Sequence, residues 1–161
     1  MKIIIYILII LSFSFSSTIS FSIDMNDSIF PNEDYSAVVI NGSWNDWQGW
    51  GVALNDDDQD GIWQGSTDID NGNYEYVIAV TGITDNWSGW GNVIDAPLES
   101  ICDENPNDQW ANYGFEVNNN DIEQIYCAGT CNQECIGGNG NNQLLRPENY
   151  SNLTTIYIPF E

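Results

Sequence analysis

The chain has 161 residues, with 24 acidic and two basic side chains and a formal net charge of −22. This charge excludes nucleic acids, anionic membrane surfaces and polyphosphates as partners, because each would be repelled. The absence of histidine excludes His-based metal sites and Ser-His-Asp or Cys-His catalysis. Seven Trp and eight Tyr are too many for a disordered acidic tail, so we expect a folded domain that is not an enzyme.

Residues 1–20 have the plan of a secretory signal peptide. Lys2 precedes an apolar run and then a Ser-rich stretch, and the run is shorter than the ~20 residues of a membrane-spanning helix. We expect cleavage between Ser16 and Ser20; an uncleaved anchor is the alternative. The protein is therefore expected to be secreted, periplasmic or on the cell surface. Residues 21–136 are predicted to form one domain, and residues 137–161 a Gly/Asn linker and tail.

Short runs of β-branched and aromatic residues, at intervals of about ten residues, predict an all-β fold. Tyr74, Tyr76, Ile78 and Val80 alternate along one such run and are expected to share a face. Asn71-Gly72 predicts a hairpin turn before it. Together the runs indicate an antiparallel β-sandwich of about seven strands. The predicted strands cover residues 21–25, 37–40, 51–54, 62–67, 73–80, 115–117 and 122–126.

The most informative feature is a near-repeat, in which residues 45–51 (NDWQGWG) recur as residues 85–91 (DNWSGWG). Both copies fall in predicted loops. An indole face matches the C–H face of a pyranose ring, and neighbouring Asn or Asp side chains can bind its hydroxyls. Trp47 and Trp87 are predicted to be exposed, and Trp44 to be buried. Trp50 and Trp90 are left open between loop packing and ligand contact.

These residues resemble the glycogen- and starch-recognition modules, carbohydrate-binding families 48 and 20, which include the module of the AMP-activated kinase beta subunit. The resemblance runs through residues 39–47 (VINGSWNDW), 60–63 (DGIW), 71–76 (NGNYEY) and 85–87 (DNW). The start of the domain and its late Cys cluster look more like an exported subgroup of these modules.

The resemblance implies an immunoglobulin-like sandwich that binds an α-glucan. It assigns the two stacking positions to Trp47 and Trp87 and places Asn112 near an Asn of the family pattern. Trp50, Trp90 and Asn45, which lie in the same two loops, are further candidate contacts. Val77 stands where the family has a ligand-contacting lysine, so that contact is absent.

An Asp-rich turn places Asp56, Asp58 and Asp60 at alternate positions before Gly61. This spacing can direct three carboxylates at one calcium ion. Position 12 of a calcium loop would be Thr67 rather than an acid, and a solvated turn is the alternative.

Four cysteines, Cys102, Cys127, Cys131 and Cys135, predict two disulfides in an exported protein, since their spacing is unlike that of a zinc ribbon. Of the three connectivities, Cys102–Cys127 with Cys131–Cys135 is preferred.

The sequence therefore predicts a secreted, non-catalytic module that binds a neutral polysaccharide or oligosaccharide and requires no cofactor. It could serve beside other domains of a larger secreted assembly. The alternative is an acidic structural or protein-interaction module that binds calcium on a cell surface or in an extracellular matrix.

Overall fold

The computed structural model describes residues 16–136, in which eight strands form two packed sheets. This confirms the predicted all-β sandwich. In the described part of the chain, no helix is long and apolar enough to cross a membrane. A short 3-10 helix, Ser43–Asn45, follows the second strand. The strands are β1 Ser16–Asp24, β2 Ala37–Gly42, β3 Val52–Ala53, β4 Ile62–Asp70, β5 Gly72–Thr81, β6 Asn92–Ile94, β7 Tyr113–Val117 and β8 Ile122–Cys127.

The first sheet has the order β4-β1-β8, and the second has the order β3-β2-β5-β6 with β7 also paired to β5. The pairs are antiparallel except β1–β8, which is parallel, with Asp24 opposite Cys127. The prediction of a purely antiparallel sandwich is wrong at this pair. β1 and β8 are not joined by a hairpin, so no short turn forces them to run in opposite directions.

The predicted hairpin at Asn71-Gly72 is also wrong. β4 pairs with β1 and β5 pairs with β2, so the turn between β4 and β5 crosses from one sheet to the other. Asn71 holds this corner to the neighbouring β7–β8 turn: its Oδ1 accepts the Asn119 N–H at 2.8 Å, and its Nδ2 donates to Asn119 Oδ1 at 2.9 Å. The sequence predicted seven of the eight strands. It did not predict β6, because three residues are too few to show alternation.

The core lies between the sheets and follows the alternation of the strands. Tyr76, Ile78 and Val80 of β5 are fully buried there, as predicted, and Tyr74 packs against the core while partly buried. Trp44 also packs on the core, where its ring stacks on Phe21 with centroids 6.0 Å apart. The other fully buried core side chains include Ile19, Ile23, Val38, Ile40 and Tyr113.

β1 begins at Ser16, so the residues predicted to end the signal peptide lie in a strand. Ser16 pairs with Asp70, and Ser20 pairs with Ser66. Cleavage near the start of the predicted range would leave β1 nearly whole. Residues 1–15, the linker and the tail lie outside the described residues.

The disulfides are Cys102–Cys131 and Cys127–Cys135, so the preferred connectivity is wrong. Cys127 lies beside Asp24 in the β1–β8 pair, and Asp24 Oδ2 accepts the Cys135 N–H at 2.9 Å. This fold-back brings Cys135 to Cys127. Cys131, at the turn between them, reaches Cys102 instead. The two bonds confirm the predicted disulfides and indicate an oxidising compartment.

Candidate functional site: an indole-lined groove beside two interlocked loops

The first Trp loop, residues 43–51, and the second Trp loop, residues 83–91, have similar backbones through Trp47 and Trp87. They differ after that point, since Trp50 and Gly89 have positive φ and their counterparts Trp90 and Gly49 do not. Trp47 and Trp87 both adopt the left-handed region, each with φ of 58°. The first loop joins β2 to β3, and the second joins β5 to β6. The sequence repeat is therefore also a structural repeat.

A local two-fold axis relates the two loops. Trp47 and Trp87 are separated by a fixed offset in residue number. The same offset relates the β2–β3 pair Val39–Ala53 to the β5–β6 pair Ala79–Val93. Val39 and Ala79 are themselves paired where β2 meets β5. The axis passes between these two residues, so the loops approach each other from opposite ends of the strand pair.

The loops interlock through an exposed contact between two indoles and through the buried side chain of Asn41. Trp50 Nε1 donates to the Trp87 carbonyl at 2.7 Å, and the two indoles stack with centroids 6.4 Å apart. Asn41 of β2 joins both loops: its Nδ2 donates to the Gly89 carbonyl at 2.6 Å, and its Oδ1 accepts the Gly51 N–H at 3.2 Å. Asn41 is fully buried.

The interlocked loops leave little of the outer face of β2 and β5 exposed. Val39, Val77 and Ala79 point away from the core between the sheets, yet they are nearly or fully buried. These strands are therefore apolar on both faces.

Asp85 fixes the second Trp loop from within. Its carboxylate accepts hydrogen bonds from Thr81 Oγ1 at 2.6 Å, the Gly82 N–H at 2.7 Å, and the hydroxyl and N–H of Ser88 at 2.6 and 3.0 Å. Desolvation alone would raise the pKa of Asp85. The hydrogen bonds outweigh it and hold the pKa well below its ordinary value.

A groove of about 470 Å³ opens beside the loops, a size usual for small-ligand sites. The strands contribute Glu75 and Val77 from β5 and Val93 from β6, which face outward at alternate positions. The rest of the lining comes from loops and strand ends. Those residues are Trp47, Trp90, Asp95, Trp110 and Asn112.

The groove holds three of the six residues predicted to contact carbohydrate: Trp47, Trp90 and Asn112. Trp87 is 48% exposed but stacks on Trp50 and does not line the groove. Trp47 and Trp90 are the equivalents of Trp87 and Trp50 under the local two-fold, and the two pairs differ because the loops depart from that symmetry at Trp50 and Gly89. Trp50 and Trp87 stack on each other, whereas Trp47 and Trp90 line the groove.

Asn45 lies within the first Trp loop rather than in the groove. Its Nδ2 donates to the Gln48 carbonyl at 3.0 Å, and its buried Oδ1 has no hydrogen-bond partner in the protein. Its proposed contact with carbohydrate stays a prediction.

Trp110 is not among the predicted contacts. It is the most exposed Trp of the groove, at 63%. It lies in the long segment between β6 and β7, where its N–H donates to Asp108 Oδ1 at 2.7 Å. A signal was present in the sequence. An Asn or Asp two residues before a Trp occurs at residues 45–47 and 85–87, and again at 108–110.

The polar groups of the groove are two carboxylates and one amide. Asn112 Nδ2 donates to Glu75 Oε2 at 2.8 Å, which leaves the Asn112 carbonyl as an acceptor. Burial raises the pKa of the Asp95 carboxyl above its ordinary value. Among the described residues neither carboxylate has a basic neighbour, since residues 16–136 contain no Lys, Arg or His.

The Asp-rich turn brings its three predicted carboxylates together. One oxygen each of Asp56, Asp58 and Asp60 lie within 4.8 Å of one another. Asp56 also accepts the N–H groups of Asp60 and Gly61, both at 3.1 Å, so it closes the turn. Thr67 lies within β4, opposite Ile19.

Comparison with known proteins assigns no family. No family profile and no characterised protein sequence matches the chain. The structure is similar to part of a glycoside hydrolase family 15 glucoamylase from Hypocrea jecorina, at 16% sequence identity and a TM-score of 0.41. The match covers 68% of this chain and 17% of that one.

Proposed function

We propose that this protein is a secreted, non-catalytic carbohydrate-binding module that holds a polysaccharide chain in the indole-lined groove. The observation that carries the proposal is the convergence of Trp47, Trp90 and Trp110 on one groove with the Asn112 amide. Because the sequence resembles modules that bind α-glucans, the ligand we propose is a neutral α-glucan.

Stacking supplies most of the binding energy in this proposal. A sugar ring on one indole removes ~100 Å² of apolar surface from water, equivalent to about 2–3 kcal/mol. Association costs offset much of this gain. Two or three such stacks give a dissociation constant on the order of 0.1–1 mM for a short oligosaccharide.

The local two-fold provides a matched test. Trp47→Ala with Trp90→Ala removes the pair that lines the groove, and Trp87→Ala with Trp50→Ala removes the equivalent stacked pair. Calorimetry and affinity electrophoresis against α- and β-glucans would compare them with the unmodified protein. We expect the first double variant to lose glucan binding. The second removes one of the contacts between the loops but leaves the indoles of the groove in place, so it should weaken binding much less. Absence of binding to every glucan by the unmodified protein would refute the proposal.

Calcium binding at the Asp-rich turn is the second candidate function. It is supported by the carboxylate oxygens of Asp56, Asp58 and Asp60, which lie within 4.8 Å of one another. Hard oxygen ligands suit Ca²⁺, and an ion would relieve their mutual repulsion. We expect calcium to raise the melting temperature, and Asp58→Asn to reduce that rise. An unchanged melting temperature would eliminate this candidate.

A further inference from the structure

We propose that the groove prefers a glycan whose rings carry protonated amino groups, such as an oligomer of glucosamine, over the neutral glucan of the same linkage. The inference rests on the proposed function, because the same three indoles hold the sugar rings. It adds a preference set by Glu75 and Asp95, the two carboxylates that line the groove with those indoles.

The charge of the domain makes this groove selective for cations. Within residues 16–136, the part of the chain that the structure describes, there is no basic side chain that could neutralise either carboxylate. Of the acidic residues of the whole chain, only Glu148 and Glu161 lie outside that range. A concave site lined by carboxylates on such a surface concentrates cations.

The three indoles favour a cation as well. An ammonium group is attracted to the face of an aromatic ring, and Trp is the strongest of the three aromatic residues in this respect. A glucosamine unit presents both an apolar ring face and a cation, so it uses the indoles and the carboxylates together. A neutral glucose unit uses the indoles and hydrogen bonds but has no charge for the carboxylates to attract, and a uronic acid is repelled by the carboxylates.

Glu75 lines the groove, and its charge can be removed without removing its hydrogen bond. Its Oε2 accepts the Asn112 amide at 2.8 Å, and a glutamine carbonyl can accept the same hydrogen bond. Glu75→Gln with Asp95→Asn therefore removes both charges and preserves the shape of the groove. Glu116→Gln with Glu134→Gln removes two exposed charges that do not line the groove, and serves as the matched control.

The experiment compares a glucosamine hexamer with cellohexaose, which has the same linkage and a hydroxyl in place of each amine. Calorimetry at about pH 6 keeps amino groups of this type protonated. We expect the amine-bearing hexamer to bind about tenfold more tightly than cellohexaose at low salt. Glu75→Gln with Asp95→Asn should reduce that ratio to about two, and the control variant should leave it unchanged.

The outcomes separate this inference from the proposed function. A Trp-dependent groove that binds both hexamers equally, or that binds an α-glucan and neither hexamer, overturns the amine preference and leaves carbohydrate binding intact. An equal loss in the control variant, or tighter binding of a lysine-rich peptide than of the amine-bearing hexamer, also overturns it. Failure of all glycans to bind refutes the proposed function itself.

Discussion

Replacing Asn41 with alanine tests whether the interlocked loops are the basis of the groove. The substitution removes both hydrogen bonds that the Asn41 side chain makes to the two Trp loops. It leaves the Gly89 carbonyl and the Gly51 N–H without their partner. An unpaired backbone group that is shielded from water costs about 1–3 kcal/mol. We therefore expect the free energy of unfolding to fall by about 2–4 kcal/mol, a large part of the ~5–15 kcal/mol of a typical domain.

Asn45→Ala is the matched control. Asn45 makes one hydrogen bond within its own loop, to the Gln48 carbonyl, and its buried Oδ1 has no protein partner. We expect this variant to lose about 1 kcal/mol or less. Denaturant titration followed by Trp fluorescence would measure both variants.

Glycan affinity is the second measurement on Asn41→Ala. Trp47 and Trp90 belong to different loops, so separating the loops should weaken binding beyond what the loss of stability explains. If Asn41→Ala unfolds no more easily than Asn45→Ala, or binds glycan as tightly as the unmodified protein, the reasoning about the interlocked loops is refuted.

Three further predictions follow from the contacts. Trp110→Ala should weaken glycan binding by about 2 kcal/mol, or roughly 30-fold in calorimetry, and change stability by less than ~0.5 kcal/mol because the ring is already mostly exposed. Burial raises the pKa of Tyr113, so above about pH 10 the unfolded state releases a proton that the folded state keeps, and stability falls as the pH rises. The stability of Tyr113→Phe should therefore fall less steeply with rising pH than that of the unmodified protein, as measured by alkaline denaturation. The pKa of Asp85 is lowered, so its contribution is complete above the unfolded value near pH 4 and is lost as the pH falls further. The difference in melting temperature between the unmodified protein and Asp85→Asn should therefore shrink with acidification; a constant difference would contradict this account.

The strand positions were largely predictable, because alternation along a strand is a local property. The run through Tyr76, Ile78 and Val80 faces the core as its pattern indicates. The directions and partners of the strands were less predictable. The Asn71-Gly72 turn has the composition of a hairpin, yet it crosses between sheets, since β4 pairs with β1 and β5 pairs with β2 of the other sheet.

The candidate site was predictable in composition but not in grouping. The near-repeat identified the Trp residues of both loops, and Trp47 and Trp90 do line the groove. It could not show that Trp87 stacks on Trp50, or that Trp110 joins the groove from a distant segment. Those pairings depend on how the loops approach each other in space, which no local pattern encodes.

By itself, the sequence determined that this protein is an acidic, disulfide-bonded β-sandwich with two Trp loops. These properties follow from composition, short-range periodicity and an internal repeat, each of which can be recognised in the amino-acid sequence alone. Only the tertiary structure decided the cysteine pairing, the local two-fold and the difference between the stacked Trp50–Trp87 pair and the open Trp47–Trp90 pair. All three depend on contacts between residues far apart in sequence, whose partners are chosen by sheet register and by the packing of one loop against another.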